Sequence, residues 1–137
     1  MLAAATEVTD GITAGLVQRG FPDVRPAHGF AFVRISGPEG ATVAELSVHL
    51  GVTKQAASQL TAQLVEWGYV VREPNPRDRR SQVLRLTARG RACTRAAEQA
   101  GAAMIAAWEE RIGPKHVAAL AQALQALGLS GALRPAW

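Results

Sequence analysis

Along this chain, apolar positions recur mostly at three- and four-residue spacing, which predicts helices; short β-type runs stand only at 69–72 and 83–86. A first helix is predicted over 2–20, with Leu2, Ala5, Thr9, Ile12 and Leu16 on one stripe and Gly11 and Gly15 weakening it. Gly20-Phe21-Pro22-Asp23 breaks the pattern. A second helix starts near Pro26, with Phe30, Val33 and Phe32 expected inward, and stops before Ser36-Gly37-Pro38-Glu39-Gly40. Thr42-Val43-Ala44-Glu45 has capping-box spacing and opens a short helix with Val43, Leu46 and Leu50 inside. Gly51 ends it, Val52 enters the core, and Thr53 caps a helix over about 54–66. That helix is expected to turn Ala56, Leu60, Leu64 and Trp67 inward and Lys54, Gln55, Ser58, Gln59 and Ala62 outward.

Beyond Gly68, Tyr69–Arg72 and Val83–Leu86 predict two strands, with Leu84 and Leu86 on one face and Arg85 on the other. The stretch Glu73–Arg80 between them, with Pro74, Asn75 and Pro76, is expected to be irregular. Thr87 caps a long helix over about 88–111 with Cys93, Ala96, Ala97, Ala100, Met104 and Trp108 on its apolar stripe. A last helix follows Gly113-Pro114 with Val117, Leu120, Ala121, Leu124 and Leu127 aligned, and Gly128 is expected to end it. The fold class expected is mainly α with a small antiparallel β wing: a winged helix-turn-helix flanked by helices. The 137 residues suit one domain, with a winged lobe at 38–90 between flanking helical segments at 1–25 and 91–128.

Charge sharpens this picture. Residues 1–50 sum to −2, whereas 72–95 hold eight arginines against Glu73 and Asp78. The positive excess is therefore local, which suits contact with a polyanion. In a helix-turn-helix the second helix enters the major groove of duplex DNA and the first braces it. Gln55 and Gln59 can read adenine with paired donor and acceptor atoms, and Ser58 permits close approach. Thr53 and Lys54 stand at the start of the same helix, where Lys54 suits a phosphate. In the loop, Arg80 and then Arg79 are candidates for the minor groove, and Arg77 and Arg85 for phosphates. Asp78 is expected to orient an arginine, because phosphates would repel it.

Other chemistry finds no support in the residues. No phosphate loop and no nucleophile–histidine arrangement occurs, so no catalytic residue is assigned and no enzyme is expected. One cysteine and histidines scattered at 28, 49 and 116 leave no metal site, and no cofactor is expected. Without an eighteen-residue apolar run or a signal-peptide layout, no membrane association and a cytoplasmic location are expected. Cys93 lies among Arg89, Arg91 and Arg95, charges that would favour a reactive thiolate if it were exposed. Its place on the apolar stripe favours a buried structural role. A winged-helix module that binds protein would present an apolar or acidic recognition face, and the face here is polar and basic.

The segments Thr42–Leu46, Gly51–Ser58, Leu64–Val70 and, most specifically, Asp78-Arg79-Arg80-Ser81-Gln82-Val83-Leu84-Arg85-Leu86-Thr87-Ala88-Arg89-Gly90 resemble the MarR family of bacterial regulators. The last matches the family's wing signature, in which an aspartate and the arginine two places later precede a strand ending in Leu-Thr and then Gly. The resemblance implies that Asp78 is the wing aspartate and Arg80 the minor-groove arginine. It also implies a homodimer on a pseudo-palindromic operator, joined through the N-terminal and last two helices. Such a regulator is often a repressor relieved by a small aromatic ligand, with His28, Phe30, Phe32, Trp67 and Trp108 as the candidate effector pocket. A regulator with no small-molecule effector is the alternative. The chain departs from the family pattern in the glycines of its first segment, Gly11, Gly15, Gly20 and Gly29.

Overall fold

The computed structural model describes residues 2–127, with side-chain surroundings from residue 6 onward. The order of elements is α1 (Leu2–Gln18), α2 (Pro26–Ile35), α3 (Val43–Leu50), α4 (Lys54–Glu66), β1 (Val70–Pro74), β2 (Gln82–Leu86), α5 (Ala88–Ile112) and α6 (Pro114–Ala126). The expected class, mainly α with a two-stranded antiparallel wing, is what the chain adopts. It divides into two compact units. Among the described residues, one contains 2–24 and 95–127; the other runs from Arg25 to Thr94.

The second unit is the winged lobe. In α3, the Thr42 hydroxyl accepts from the Glu45 amide at 3.2 Å, and the Glu45 carboxylate accepts from the Thr42 amide at 2.8 Å. This reciprocal cap satisfies two amides that a helix start leaves without partners. The Thr42 backbone bond is the leading cause of a Glu45 pKa below the usual carboxylate range, and Arg34, 3.2 Å away, adds to it. A depressed carboxylate pKa means that this stabilisation is present above the unfolded value and is lost as pH falls through the folded one. Gly51 ends α3 in the left-handed region (φ 66°, ψ 31°), a conformation that costs other residues ~1–2 kcal/mol. Thr53 then caps α4 by accepting from the Ala56 amide at 3.1 Å.

The inward face of α4 differs from the expected one. Ala57, Thr61 and Leu64 are buried, Leu60 is half-buried, and Ala56 is exposed. Leu60 and Leu64 anchor either reading, because alanine and threonine carry too little hydrophobic contrast to set the phase. α3 packs on α4, and the small Ala57 is fully buried. Thr61 is tolerated there because its hydroxyl donates back to the Ala57 carbonyl at 2.7 Å. In α2 the phase shifts likewise. Phe32 is buried against Tyr69, ring centroids 5.7 Å apart, Phe30 is half-buried, and Val33 is 65% exposed.

The wing is longer than expected. Its register pairs Val70 with Leu86 and extends to Pro74 opposite Gln82, so Glu73 and Pro74 belong to β1. Proline is admissible there because it occupies a strand end. A further bridge, Ala41 to Leu84, adds a third short edge to the sheet, with the Ala41 amide donating to the Leu84 carbonyl at 3.2 Å and the Leu84 amide returning a bond at 2.7 Å. Val83 is therefore buried along with Leu84 and Leu86. Arg85, expected at a phosphate, donates to Glu73 at 2.8 Å and to the Pro38 carbonyl at 3.0 Å in the chain by itself. It ties β2 to β1 and to the loop before α3.

In the first unit α1 lies close to α5. A methyl group at Gly15 would fall 2.6 Å from the Ala100 Cβ, and one at Gly11 would meet the Met104 sulfur. The glycines that weaken α1 as an isolated helix thus permit the approach. Trp108 and Arg111 both donate to Glu7, at 3.4 and 3.2 Å. Of the stripe predicted for α6, Val117 is buried, whereas Leu120, Leu124 and Leu127 are exposed. Gly128, expected to end α6, lies outside the described residues. Among the described residues no helix is long and apolar enough to cross a membrane.

Candidate nucleic-acid interface

The candidate interface starts from two locally determined pieces of chain. The first is the outer face of α4. Lys54, Gln55, Ser58 and Gln59 are all exposed, and among the described residues none of these side chains is engaged by another group of the chain. Thr53 is exposed as well, with its hydroxyl used as the cap. The burial of Ala57, Thr61 and Leu64 turns this polar face to solvent.

The second piece is the tip of the wing, which is an ordered turn. The Asn75 amide donates to the Ser81 carbonyl at 3.2 Å, and the Ser81 amide donates to the Asp78 carbonyl at 3.0 Å. The buried Asn75 side chain donates to the Ser81 hydroxyl at 2.9 Å and accepts from the Arg77 amide at 3.0 Å. Asn75 was read from the sequence only as a turn former; its buried side chain in fact organises the loop. Asp78 accepts from the Arg80 amide at 3.0 Å and from its guanidinium at 3.4 Å, while the Arg80 side chain remains 94% exposed. Arg77 pairs with Glu39 at 2.8 Å. Arg79 is exposed.

These pieces line one open groove together. Lys54, Gln55 and Ser58 contribute from α4, Arg77, Asp78 and Arg80 from the wing, and Thr42–Glu45 from the start of α3. Arg72 and Gln82 line it too, although the sequence had placed Arg72 only as a strand residue and Gln82 only within the wing segment. Their signal was weak, since a strand's alternation does not say which neighbour its polar side faces. Thr53, Gln59 and Arg79 do not line this groove.

The residues grouped as an effector pocket separate by unit. His28, Phe30, Phe32 and Trp67 belong to the winged lobe, and Trp108 to the helical unit. His28 is buried and meets Trp67 edge-on, centroids 5.4 Å apart. Its Nδ1 accepts from the Arg25 amide at 2.9 Å, and Gln63 of α4 hydrogen-bonds the ring. Burial lowers the His28 pKa from the ordinary histidine value; the Gln63 bond opposes this and the Arg25 charge reinforces it. Among the described residues no group of histidine, cysteine and acidic side chains could hold a metal.

Cys93 is buried, and desolvation pushes its thiol up to about 11 despite the nearby charge of Arg89. With that value, roughly three thiols in ten thousand are ionised at pH 7.5. Native protein is expected to react with a thiol reagent far more slowly than protein unfolded in guanidinium. Equal rates in the two states would show that Cys93 is accessible.

Residues 25–81 match the model of the MarR family. PetP, an HTH-type transcriptional regulator of Rhodobacter capsulatus, is 33% identical over 105 residues, which is 77% of this chain and 63% of that protein, so the chain spans less than two thirds of its length. The crystal structure of RV1404 from Mycobacterium tuberculosis superposes with a TM-score of 0.77 at 24% identity, covering 98% of this chain and 90% of the other. Wild-type apo MarR from E. coli gives 0.74 at 24% identity, covering 90% of each chain. The lobe that holds the groove is the part matched by the family model, and the fold of both units is shared with these structures. Over residues 25–81 the chain therefore matches the MarR family, and it shares the winged helix-turn-helix fold of these structures.

Proposed function

We propose that this chain is a sequence-specific regulator of transcription that binds double-stranded DNA as a homodimer on a pseudo-palindromic operator. The observation that carries this reading is the groove itself, because an unengaged polar face of α4 and a cationic wing tip line it together. In the proposed complex α4 lies in a major groove, with Gln55 and Gln59 on base edges, Ser58 in close contact and Thr53 and Lys54 on phosphates. Arg80 enters the adjacent minor groove, oriented by Asp78, with Arg79 the second candidate there and Arg77 toward the backbone.

The segments 1–25 and 91–128 are proposed to form the dimer interface. Support comes from Ile105, Ile112, Leu120, Leu124 and Leu127, which one copy of the chain leaves exposed. The finer reading is a repressor relieved by a small aromatic ligand. The edge-on pair of His28 and Trp67 supports it, because His28 also bonds to Gln63 on α4, so a ligand displacing that pair would act on the recognition helix. Phe30 and Phe32 of the same lobe are the further candidate lining residues.

The test is selection of bound sequences from a random duplex pool, run with the wild type and with Arg80→Ala. The expected result is a two-fold motif with half-sites about one helical turn apart, ~10 base pairs. Arg80→Ala should lose sequence preference at the positions read through the minor groove. Recovery of no motif by the wild type would sink the reading.

A further inference from the structure

The groove holds one guanidinium whose state differs from its neighbours. Arg77 is paired with Glu39 at 2.8 Å and Arg80 with Asp78 at 3.4 Å. Arg72 also lines the groove, yet among the described residues it has no ion-pair or hydrogen-bond partner for its side chain. It is half-buried, and its backbone is held in the β1–β2 ladder opposite Leu84. We infer that Arg72 is a fixed, sequence-independent contact for the ridge of phosphates that separates the two DNA grooves. This rests on the reading of the groove as a DNA site.

The argument is geometric. If α4 occupies a major groove and the wing tip reaches the adjacent minor groove, the strand of phosphates between those grooves must pass between α4 and the wing. That space is the groove, and Arg72 lines it. At Arg77 and Arg80 a carboxylate already offsets part of the positive charge that a phosphate would meet. At Arg72 no carboxylate among the described residues does so. Half-burial on a paired strand also restricts the side chain beforehand, which lowers the entropy lost on contact. An arginine serving only to cover apolar surface with its stem would share the half-burial. It would not contribute to counterion release.

Salt dependence separates these roles. The full chain is titrated by fluorescence anisotropy with a random-sequence duplex and with a selected operator over a range of salt concentrations. The Arg72→Ala variant should weaken both complexes by the same factor and reduce the slope of log K against log salt by about 0.9, the value of one phosphate contact. Arg72→Lys should restore the slope, because the charge is retained. Loss confined to the operator would make Arg72 a base reader and overturn the inference. An unchanged slope with lowered thermal stability would make it structural and overturn it as well. A wild type that binds neither duplex would instead overturn the DNA reading of the groove.

Discussion

Replacing Gln55 and Gln59 together by alanine is expected to lower affinity for a selected operator by about 2–6 kcal/mol, taking ~1–3 kcal/mol for each bidentate adenine contact. Affinity for random duplex should change little, because neither amide carries charge and non-specific binding is dominated by phosphates. Both side chains are exposed and free of internal bonds, so the stability of the fold should be close to unchanged. The measurement is a pair of binding curves at one salt concentration, operator against random duplex. Equal losses on the two duplexes would mean that α4 does not read base edges. The two positions should also differ. Gln55 lines the groove beside the wing and Gln59 does not. On the proposed reading the single variants therefore relax different base positions, which selection with each would show.

Gly40→Ala is expected to cost the fold about 2–5 kcal/mol, and it would do so without touching any proposed DNA contact. Gly40 has φ +70°, which costs an alanine ~1–2 kcal/mol. Its added methyl group would also meet the backbone carbonyl of Leu84, an overpacking contact worth ~1–3 kcal/mol. The carbonyl cannot move aside, because it accepts the Ala41 amide in the bridge that joins the loop before α3 to the wing. Urea denaturation should show a lower midpoint with little change in slope. A midpoint equal to that of the wild type would mean that the bridge is dispensable. Because the bridge links the wing to the helix-turn-helix, DNA affinity should fall too, and chiefly in the part that depends on Arg80.

Much of this protein was legible in its residues. Thr42 and Glu45 at capping-box spacing, Gly51 at a turn and Thr53 at a helix start are local signals, and each acts within about four residues of itself. The helix-turn-helix, its polar face and the family resemblance followed from them. The wing arginines stood out because charge concentrates in one stretch of sequence. The winged fold class is what the structure displays, and residues 25–81 match the family the resemblance named.

Packing decided the remainder, because it depends on partners distant in the chain. The phase of α4 could not be set by Ala56, Ala57 and Thr61, whose hydrophobicity is nearly neutral; only the structure, where α3 packs on α4, shows Ala57 buried. The bonds of Arg85 to Glu73 and to the Pro38 carbonyl could not be read from the residues either. The Ala41 bridge, the buried Asn75 and the place of Arg72 in the groove have no periodic signature at all. Sequence by itself determined where helices begin and end and which face carries polar chemistry, since caps and periodicity are local. Tertiary structure alone decided which arginines are already paired and which stand open, since an ion pair such as that of Arg77 with Glu39 joins residues whose distance along the chain says nothing of their distance in space.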